Sequence, residues 1–446
     1  MSISKTGSDR TLREAMQSDQ YAGYAYSYPH KTSYAPLAEP VSLKEAWHDE
    51  KKDSLFLYVY LPFCEFRCGF CNLFTTVQPA EEFVAETLAN IARQSSVVAA
   101  AIEPARISKM AFGGGTPTYL SASELEQLFG FLSQHWPIAW GQVPISFEGS
   151  PATVSQEKLE VLKRFRVSRI SVGIQSFSPH DLKSLGRPQD SRDIIKAAHL
   201  IREADFPIFN LDLIYGNQGQ TSESWRQTID ETLKIRPEEI YLYPLYVREL
   251  TGLGKTGKTA QGQRHEFYWE ARERLLAAGY QQLSMRLFRL ANVQEVTDYS
   301  CQEDGMIGLG PGARSYTREL HYSSEFAVGQ QGVRKIIRAF NQRTNEQFGE
   351  ADYGVHLPLP EQKRRYFIKS ILHAEGLSLH DYQQCFATVA SDDFATEIEQ
   401  LCELNLMEVH DERICLTKDG IAWSDTIGPW LYSADVVAKM EAFELE

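Results

Sequence analysis

Between about residues 51 and 250, the apolar positions fall into short runs that alternate with longer amphipathic stretches. The short runs are rich in Val, Ile, Leu and aromatic residues, as buried strands are, and the longer stretches carry apolar residues at helical spacing. One stretch follows Ser121 and has Glu124 three residues later, the pair that forms a helix capping box. The pattern predicts strands at 55–61, 107–112, 145–148, 169–173, 208–214 and 239–245, and helices at 81–94, 122–132, 156–163, 192–202 and 222–234.

The alternation of strands and helices predicts an α/β fold built on a parallel sheet. Six β/α units fit a partial (β/α)6 TIM-like barrel better than a complete eightfold one. Functional groups are then expected at the C-terminal ends of the strands, where barrels of this kind place them.

The remaining segments flank this predicted barrel, which we expect to span 51–290. Residues 1–50 are rich in Tyr, Pro and Ser and predict an irregular arm packed over the rest, because so many aromatic side chains are costly to leave in water. The segment 291–350 is expected to connect the two larger units and to close the active site. Residues 351–446 show three helical stretches and then a short hairpin, a winged-helix-like pattern.

Charge and composition limit the partners. The formal net charge of −14 argues against a nucleic-acid or membrane-surface role, because polyanions would repel the chain. The third helical stretch of the C-terminal unit, 391–405, carries five acidic residues and no basic one, so binding in a DNA groove is not expected. No apolar signal segment or membrane-spanning run is apparent, and most cysteines are scattered. We therefore expect a cytoplasmic protein without a disulfide framework.

Three cysteines crowd into one short motif directly after the first predicted strand: Cys64, Cys68 and Cys71, in the spacing C-x3-C-x2-C. Three thiolates on one loop can hold three irons of a [4Fe–4S] cluster and leave the fourth iron open to a small chelating ligand. A structural zinc site needs four ligands, and no fourth Cys or His lies at useful spacing. The motif therefore predicts an iron–sulfur cluster, and in this motif the open iron binds the methionine end of S-adenosylmethionine (SAM).

Several other residues stand at predicted strand ends, on the rim expected to carry the chemistry. Consecutive glycines at 113–115 allow close backbone approach to a ligand, or form only a tight turn. Glu148, Gln175 and Asp212 are satisfied either by a ligand, such as the ribose of a nucleoside, or by their neighbours. Arg187 offers a fork for a carboxylate. The glycine-rich stretch 252–260 lacks phosphate-loop spacing, so it is not interpreted as a phosphate loop. His30 and Lys31 of the arm either contact the substrate or, as we interpret them, are solvated.

Together these stretches resemble the family of oxygen-independent coproporphyrinogen III oxidase, HemN, within the radical SAM enzymes. The resemblance covers roughly residues 20–440, including a C-terminal winged-helix-like HemN module, and implies a [4Fe–4S] cluster and two SAM molecules. It implies that Tyr58, Gly114, Glu148 and Arg314 contact the cluster-bound SAM. For the second SAM it implies contacts from Phe70, Gly115, Thr116, Gln175, Arg187 and Asp212. The segments that carry the resemblance are YVYLPFCEFRCGFC, FGGGTPTYL, FEGSP, RISVGIQSF, LGRP, NLDLIYGNQGQT and GLGPGARSY.

Two departures from that family bear on the reaction. The decarboxylating enzymes have a further Cys two places after the third, where this chain has Leu73, and usually a His where this chain has Tyr60. The resemblance implies reductive cleavage of SAM to a 5′-deoxyadenosyl radical, fed by a one-electron reductant such as flavodoxin or ferredoxin. We expect one-carbon transfer from the second SAM to an unsaturated or aromatic small molecule. The alternatives are oxidative decarboxylation of a tetrapyrrole and a HemW-like haem chaperone. No general acid or base is assigned.

Overall fold

The computed structural model describes residues 11–18, 20–294 and 297–444. The strands are β1 (Ala35–Ser42), β2 (Leu55–Leu61), β3 (Phe63–Cys64), β4 (Thr76–Val77), β5 (Ile107–Gly114), β6 (Ile145–Gly149), β7 (Arg169–Gln175), β8 (Ile208–Tyr215), β9 (Glu239–Pro244), β10 (Tyr280–Gln282), β11 (Leu287–Leu290), β12 (Met306–Leu309), β13 (Arg314–Tyr316), β14 (Leu320–Ser323), β15 (Glu350–His356), β16 (Leu377–Ser378), β17 (Met407–Val409) and β18 (Arg413–Leu416).

The helices that pack on these strands are α1 (Leu12–Ser18), α2 (Leu43–Ala46), α3 (Glu81–Ile102), α4 (Ala122–His135), α5 (Gln156–Arg164), α6 (Pro179–Ser184), α7 (Ser191–Ala204), α8 (Ser222–Ile235), α9 (Gly252–Lys255), α10 (Arg264–Ala277), α11 (Gln330–Gln342), α12 (Asn345–Phe348), α13 (Leu359–Ile371), α14 (Leu379–Phe386), α15 (Ala390–Asp393), α16 (Ala395–Glu403), α17 (Lys418–Ala422), α18 (Ser424–Trp430) and α19 (Ala434–Glu441). Short 3-10 turns lie at Lys31–Ser33, Pro117–Tyr119 and Pro151–Thr153.

The main sheet has thirteen strands in the order β1-β15-β14-β13-β12-β2-β5-β6-β7-β8-β9-β11-β10. Its middle, from β12 across to β9, is parallel, and the helices between successive strands bury their apolar faces on it. The sheet does not close on itself among the described residues, so the predicted partial α/β barrel is confirmed as an open, parallel arrangement. The capping box at Ser121 and Glu124 also forms, with the Glu124 carboxylate accepting from the Ser121 N–H at 2.7 Å.

Two flanking regions are more regular than the sequence pattern suggested. The N-terminal arm contains α1, α2 and β1, and β1 pairs antiparallel with β15 at the edge of the main sheet. The segment 291–350 contributes β12, β13 and β14 to that sheet instead of only connecting two units. The boundary expected at 350/351 falls inside β15. The sequence pattern did not predict strands β12–β14 because they are only three or four residues long. It did not predict β1, APLAEPVS, because this strand carries prolines, which are tolerated at a sheet edge.

The C-terminal region carries α13–α19 beside a small sheet of order β16-β18-β17, the arrangement that the winged-helix-like pattern predicts. The third predicted helix is divided into α15 and α16 at Phe394, whose backbone leaves the helical region. A buried ion pair joins α18 to the main sheet, where Arg286 donates to Asp425 at 2.6 Å. None of the helices in the described residues has the length and apolarity needed to span a bilayer. All seven cysteines are free thiols.

Candidate cluster and cofactor site

The cysteine loop leaves the C-terminal end of β2 and closes on itself. Cys64 lies in β3, which pairs in parallel with β4, and its carbonyl accepts a hydrogen bond from the Gln78 N–H at 3.0 Å. Within the loop, the Cys71 N–H donates to the Cys68 carbonyl at 3.1 Å. The three cysteines line one cavity of about 170 Å³ at the C-terminal edge of the parallel strands. This is the edge at which the sequence pattern predicts the functional groups.

A second layer of backbone contacts holds the loop in place. The Gly69 N–H donates to the carbonyls of Leu185 and Gly186 at 3.1 and 3.2 Å, and its own carbonyl accepts from the Leu253 N–H at 2.7 Å. A Cβ on Gly69 would lie 2.7 Å from the Leu185 carbonyl oxygen, so only glycine permits this approach. The glycine-rich stretch at 252–260 therefore packs against the cysteine loop.

The contacts around the three thiols favour a metal site over uncoordinated cysteines. The Thr116 hydroxyl donates to the Cys64 sulfur at 3.6 Å, and Arg187 donates to the Cys68 sulfur at 3.0 Å. Burial raises the pKa of Cys64 to about 12 and also raises the pKa of Cys71, so a cation beside these sulfurs would be needed to favour the thiolate form. No three ligand side chains in the described ranges converge on a single ion. In a cubane cluster each of the three thiolates would bind a different iron.

The glycine turn after β5 is shaped by its contact with β2 and β3. The Gly115 N–H donates to the Leu61 carbonyl, and the Thr116 N–H donates to the Phe63 carbonyl, both at 2.7 Å. A Cβ on Gly115 would lie 2.5 Å from the Phe63 carbonyl oxygen, and Gly114 has a φ of +105°. Larger residues at these positions would push the turn away from the cysteine loop. The turn thus exposes its backbone edge to the cavity, where a ligand can approach it.

Two carboxylates face the cavity from β6 and β8. The Glu148 carboxylate is exposed to the cavity, and desolvation inside the protein, followed by the charge of Asp212, raises its pKa to about 7. Asp212 accepts a hydrogen bond from Asn210 at 2.7 Å, and burial raises its pKa too. The charge of Arg169 lowers the pKa of both carboxylates, but this guanidinium is itself bound to buried Glu239 at 2.6 Å. Both carboxylates therefore keep acceptor capacity for a bound ligand.

Gln175 and Arg187 complete one wall of the cavity. Gln175 is buried and has a φ of +67°, a left-handed conformation that non-glycine residues adopt at a cost and that is frequent at binding sites. The Arg187 guanidinium bridges the cysteine loop and β7, because it donates both to Cys68 and to the Gly173 carbonyl. It also donates to the Gln189 side chain at 2.9 Å. These bonds fix the guanidinium between the cysteine loop and β7.

The structure brings most of the predicted site residues together around this cavity. Tyr58 and Arg314 do not line it. Tyr58 packs behind Glu148 across Gly113, and Arg314 donates to the Ser27 hydroxyl of the N-terminal arm at 3.0 Å. The residues that share the cavity with the three cysteines are Phe70, Gly114, Gly115, Thr116, Glu148, Gln175, Arg187 and Asp212.

The sequence analysis named none of the arm's tyrosines as a candidate site residue and set His30 and Lys31 aside as solvated. His30 and Lys31 are half-buried, which corrects the interpretation that they are solvated. Lys31 lies 3.5 Å from the Phe326 ring centroid, and His30 packs edge-on against Tyr26. Tyr24 packs on Tyr26, with ring centroids 5.5 Å apart. The dense aromatic composition of 21–34 was the available signal, but it could not show which surface the arm covers.

Comparison with known proteins identifies the class to which this site belongs. Residues 58–232, which include the three cysteines, the glycine turn and the strand-end carboxylates, match the model of the Radical SAM superfamily. The chain thus carries a radical SAM domain, and this class implies a [4Fe–4S] cluster and SAM.

Over most of its length the chain is similar to HemN-type proteins, the resemblance that its sequence motifs indicated. It is 25% identical over 443 residues to an oxygen-independent coproporphyrinogen III oxidase of Pseudomonas aeruginosa, with 89% of this chain and 91% of that protein covered. It is 28% identical over 273 residues to the haem chaperone HemW of Bacillus subtilis, covering 58% and 70%. The fold matches that of the coproporphyrinogen III oxidase HemN from Escherichia coli, with a TM-score of 0.80, 22% identity and coverage of 92% and 96%.

Proposed function

We propose that this chain is a HemN-like radical SAM enzyme that uses a second SAM as the donor of a methyl or methylene group to an unsaturated tetrapyrrole-type small molecule. When bound, the reduced cluster supplies the electron that cleaves the first SAM to a 5′-deoxyadenosyl radical. The protein's own groups bind and orient the two SAM molecules and exclude water. A one-electron reductant such as flavodoxin or ferredoxin serves the cluster in the cytoplasm, and neither nucleic acid nor a membrane is a partner.

The observation that carries this proposal is the pair of carboxylates that face one cavity. Glu148 is the last residue but one of β6 and Asp212 lies in β8, and each can accept hydrogen bonds from the two hydroxyls of a ribose. The cavity thus offers one carboxylate to the ribose of each of the two proposed SAM molecules. The Gln175 and Arg187 side chains lie on the Asp212 side, where Arg187 is held against Cys68. This arrangement suits a second SAM beside the cluster, with Phe70, Gly115 and Thr116 completing its contacts.

The cluster-bound SAM is assigned to the other side of the same cavity. Gly114 presents its backbone there, and Glu148 accepts a hydrogen bond from it. Tyr58 lies behind Glu148, and Arg314 approaches from the arm side. Cys64, Cys68 and Cys71 line the same cavity and would hold the cluster there.

Two residues favour one-carbon transfer over decarboxylation. Leu73 stands where the decarboxylating enzymes have a fourth cysteine, and it faces the cavity with 45% of its surface exposed. An apolar side chain there can neither donate nor accept a proton. Tyr60 is buried and donates to the Phe74 carbonyl at 3.0 Å, so its hydroxyl is engaged within the protein. The local chemistry that distinguishes the decarboxylating enzymes is therefore missing at both positions.

The tetrapyrrole class is taken from the relatives. Oxygen-independent coproporphyrinogen III oxidases cover nearly the whole chain, and this favours tetrapyrrole decarboxylation as the second candidate. The similarity to HemW makes haem carriage the third candidate. The three candidates differ in their products. One-carbon transfer yields S-adenosylhomocysteine with 5′-deoxyadenosine, decarboxylation yields carbon dioxide, and a carrier binds haem stoichiometrically with negligible SAM cleavage.

The experiment is anaerobic reconstitution with dithionite and SAM labelled with ¹³C at its methyl group, in the presence of reduced and oxidised tetrapyrroles. We expect 5′-deoxyadenosine and S-adenosylhomocysteine together with a tetrapyrrole product that carries the label, detected by mass spectrometry. Release of carbon dioxide with an unlabelled product would contradict the proposal and support decarboxylation.

Cysteine variants control this experiment. Cys68→Ala should abolish iron–sulfur absorbance and both nucleoside products, because the cluster loses one of three anchors. Cys385→Ala is the matched control, since Cys385 is exposed on α14 in the C-terminal region. That variant should retain the cluster and the product ratio of the unmodified enzyme.

A further inference from the structure

Two short segments meet on the cysteine loop at Gly69, the residue after Cys68. The turn that follows α6 contacts it from one side, where the Gly69 N–H donates to the Gly186 carbonyl at 3.2 Å. From the other side, the Leu253 N–H of α9 donates to the Gly69 carbonyl at 2.7 Å. We name this surface the loop face; it consists of Gly69 and the segments 183–187 and 252–258.

Glycines keep the layer of protein at the loop face thin. Gly186 and Gly252 are exposed, and Gly69 is half-buried between them. A Cβ on Gly186 would lie 3.0 Å from the Gly69 Cα, and a Cβ on Gly252 would lie 3.2 Å from the same atom. Because none of the three has a side chain, a partner on this face approaches the predicted iron ligand Cys68 through backbone atoms alone. Such a close approach favours electron transfer.

The loop face is positively charged. Lys183 of α6 and Lys255 of α9 are exposed, and the half-buried Lys258 donates to the Ser184 carbonyl at 3.1 Å. Within the part of the chain that the structure describes, none of the three lysines forms an ion pair. Their charges are therefore available to a partner from outside.

The acidic residues of the same segments do not offset this charge. Glu65 of the cysteine loop lines the cofactor cavity, and Asp181 of α6 is buried. Arg248 and Glu249, which precede α9, carry one charge of each sign. The whole chain has a net charge of −14, so the loop face is a local exception. An acidic protein would be repelled by the chain as a whole and attracted to this face.

We propose that the loop face is the docking site of a small acidic electron-carrier protein that reduces the cluster. This inference rests on the proposed function, which requires a one-electron reductant, and it assigns that reductant a position. One electron passes from the reduced carrier to the cluster, with no bond formed between the proteins and no proton transferred. Electron-transfer encounters bury little surface and are weak, so complementary charge has a large part in guiding them.

The test measures the formation of 5′-deoxyadenosine by the anaerobically reconstituted full chain, with reduced flavodoxin as the carrier and with dithionite for comparison. Lys183→Glu and Lys255→Glu should each raise the KM for flavodoxin by about 3- to 10-fold, because each replaces a surface attraction by a repulsion. The rate with dithionite should not change. For the unmodified chain, the KM for flavodoxin should rise with ionic strength, because salt screens exposed charges.

Binding is measured separately from the reaction, by the fluorescence anisotropy of labelled flavodoxin titrated with the chain. Both charge-reversal variants should weaken this binding, and Lys255→Arg should retain it because it keeps the charge. Lys44→Glu is the matched control, since Lys44 is an exposed lysine of α2, which follows the edge strand β1. This variant should change neither the binding nor the KM.

Four results would overturn the inference. Flavodoxin could fail to bind at low ionic strength, or Lys183→Glu and Lys255→Glu could leave its binding and KM unchanged. The two variants could slow the dithionite reaction as much as the flavodoxin reaction, which would indicate a structural role. A dimer of the chain that forms at low salt, is lost in Lys255→Glu and excludes flavodoxin would assign the loop face to a second copy.

The docking site and the proposed reaction can fail independently. If flavodoxin binds through these lysines and 5′-deoxyadenosine forms, but the methyl label is never transferred, the proposed reaction fails while the docking site stands. If the label is transferred with dithionite but flavodoxin binding is indifferent to both lysines, the docking site fails while the reaction stands.

Discussion

The buried ion pair between Arg286 and Asp425 offers a sharp test of how the three parts of the chain hold together. Only 3% of the Arg286 side chain and 1% of the Asp425 side chain are exposed. Asp425 also accepts from the Tyr246 hydroxyl, and the Arg286 guanidinium lies 3.7 Å from the centroid of Tyr24 in the arm. One carboxylate of α18 thus connects the C-terminal region, the main sheet and the arm.

The isosteric change Asp425→Asn removes the negative charge and leaves Arg286 buried without it. Breaking a buried pair from one side costs about 3–5 kcal/mol, which corresponds to an increase between about a hundredfold and a few thousandfold in the unfolded fraction. The matched control is Asp435→Asn on α19, whose partner Lys439 and whose own side chain are 43% and 64% exposed. Such a surface pair contributes about 0–1 kcal/mol.

The assay is equilibrium unfolding in urea, followed by tryptophan fluorescence, since Trp423 and Trp430 flank Asp425 in sequence. We expect the transition that reports on the C-terminal region to move to lower urea in Asp425→Asn and to stay in place in Asp435→Asn. If both variants unfold within about 1 kcal/mol of each other, the buried pair does not hold these parts together and the reasoning is refuted.

Three further predictions concern the cavity and the buried Arg169–Glu239 ion pair beside it. Burial, followed by the charge of Asp212, raises the pKa of Glu148 to about 7. SAM affinity should therefore rise from pH 6 to pH 8, because the carboxylate ionises and becomes a better hydrogen-bond acceptor. Equilibrium dialysis should show this rise in the wild-type chain and no rise in Glu148→Gln. Gly115→Ala should lower iron incorporation, measured as iron per chain, because its Cβ would meet a backbone oxygen at 2.5 Å, whereas Gly130→Ala, with nothing within 4 Å, should not. Glu239→Gln should lower the free energy of unfolding, measured in urea, by about 3–5 kcal/mol, because buried Arg169 loses its counterion at 2.6 Å. A decrease below about 1 kcal/mol would contradict this.

Much of the central fold could be predicted from the sequence because its strands are buried on both faces. Such strands read as continuous apolar runs, and the helices between them carry clear amphipathic spacing. Strand β2 begins and ends where the pattern placed it, at Leu55 and Leu61. The antiparallel extension from β12 to β15 was not predictable in the same way. Its strands are short, and they pair with segments far away in sequence, such as β1 with β15.

The candidate site shows the same division. The cysteines and the strand-end residues were predictable because a β/α fold places strand ends at a single edge. The position of Arg314 was not, because its partners, Ser27 and Tyr26, belong to the arm and no local pattern reveals that long-range contact. Lys31 was interpreted as solvated for the same reason. Its burial depends on Phe326, almost three hundred residues further along the chain.

The central claim is that Cys64, Cys68 and Cys71 hold a cluster with one iron open to SAM. Electron paramagnetic resonance of the dithionite-reduced, anaerobically reconstituted chain, recorded before and after SAM is added, tests it most directly. The account predicts the signal of a single reduced [4Fe–4S] cluster that changes on addition of SAM and is lost in Cys64→Ala. A full complement of cluster whose signal is indifferent to SAM, or a signal that survives in Cys64→Ala, would contradict it.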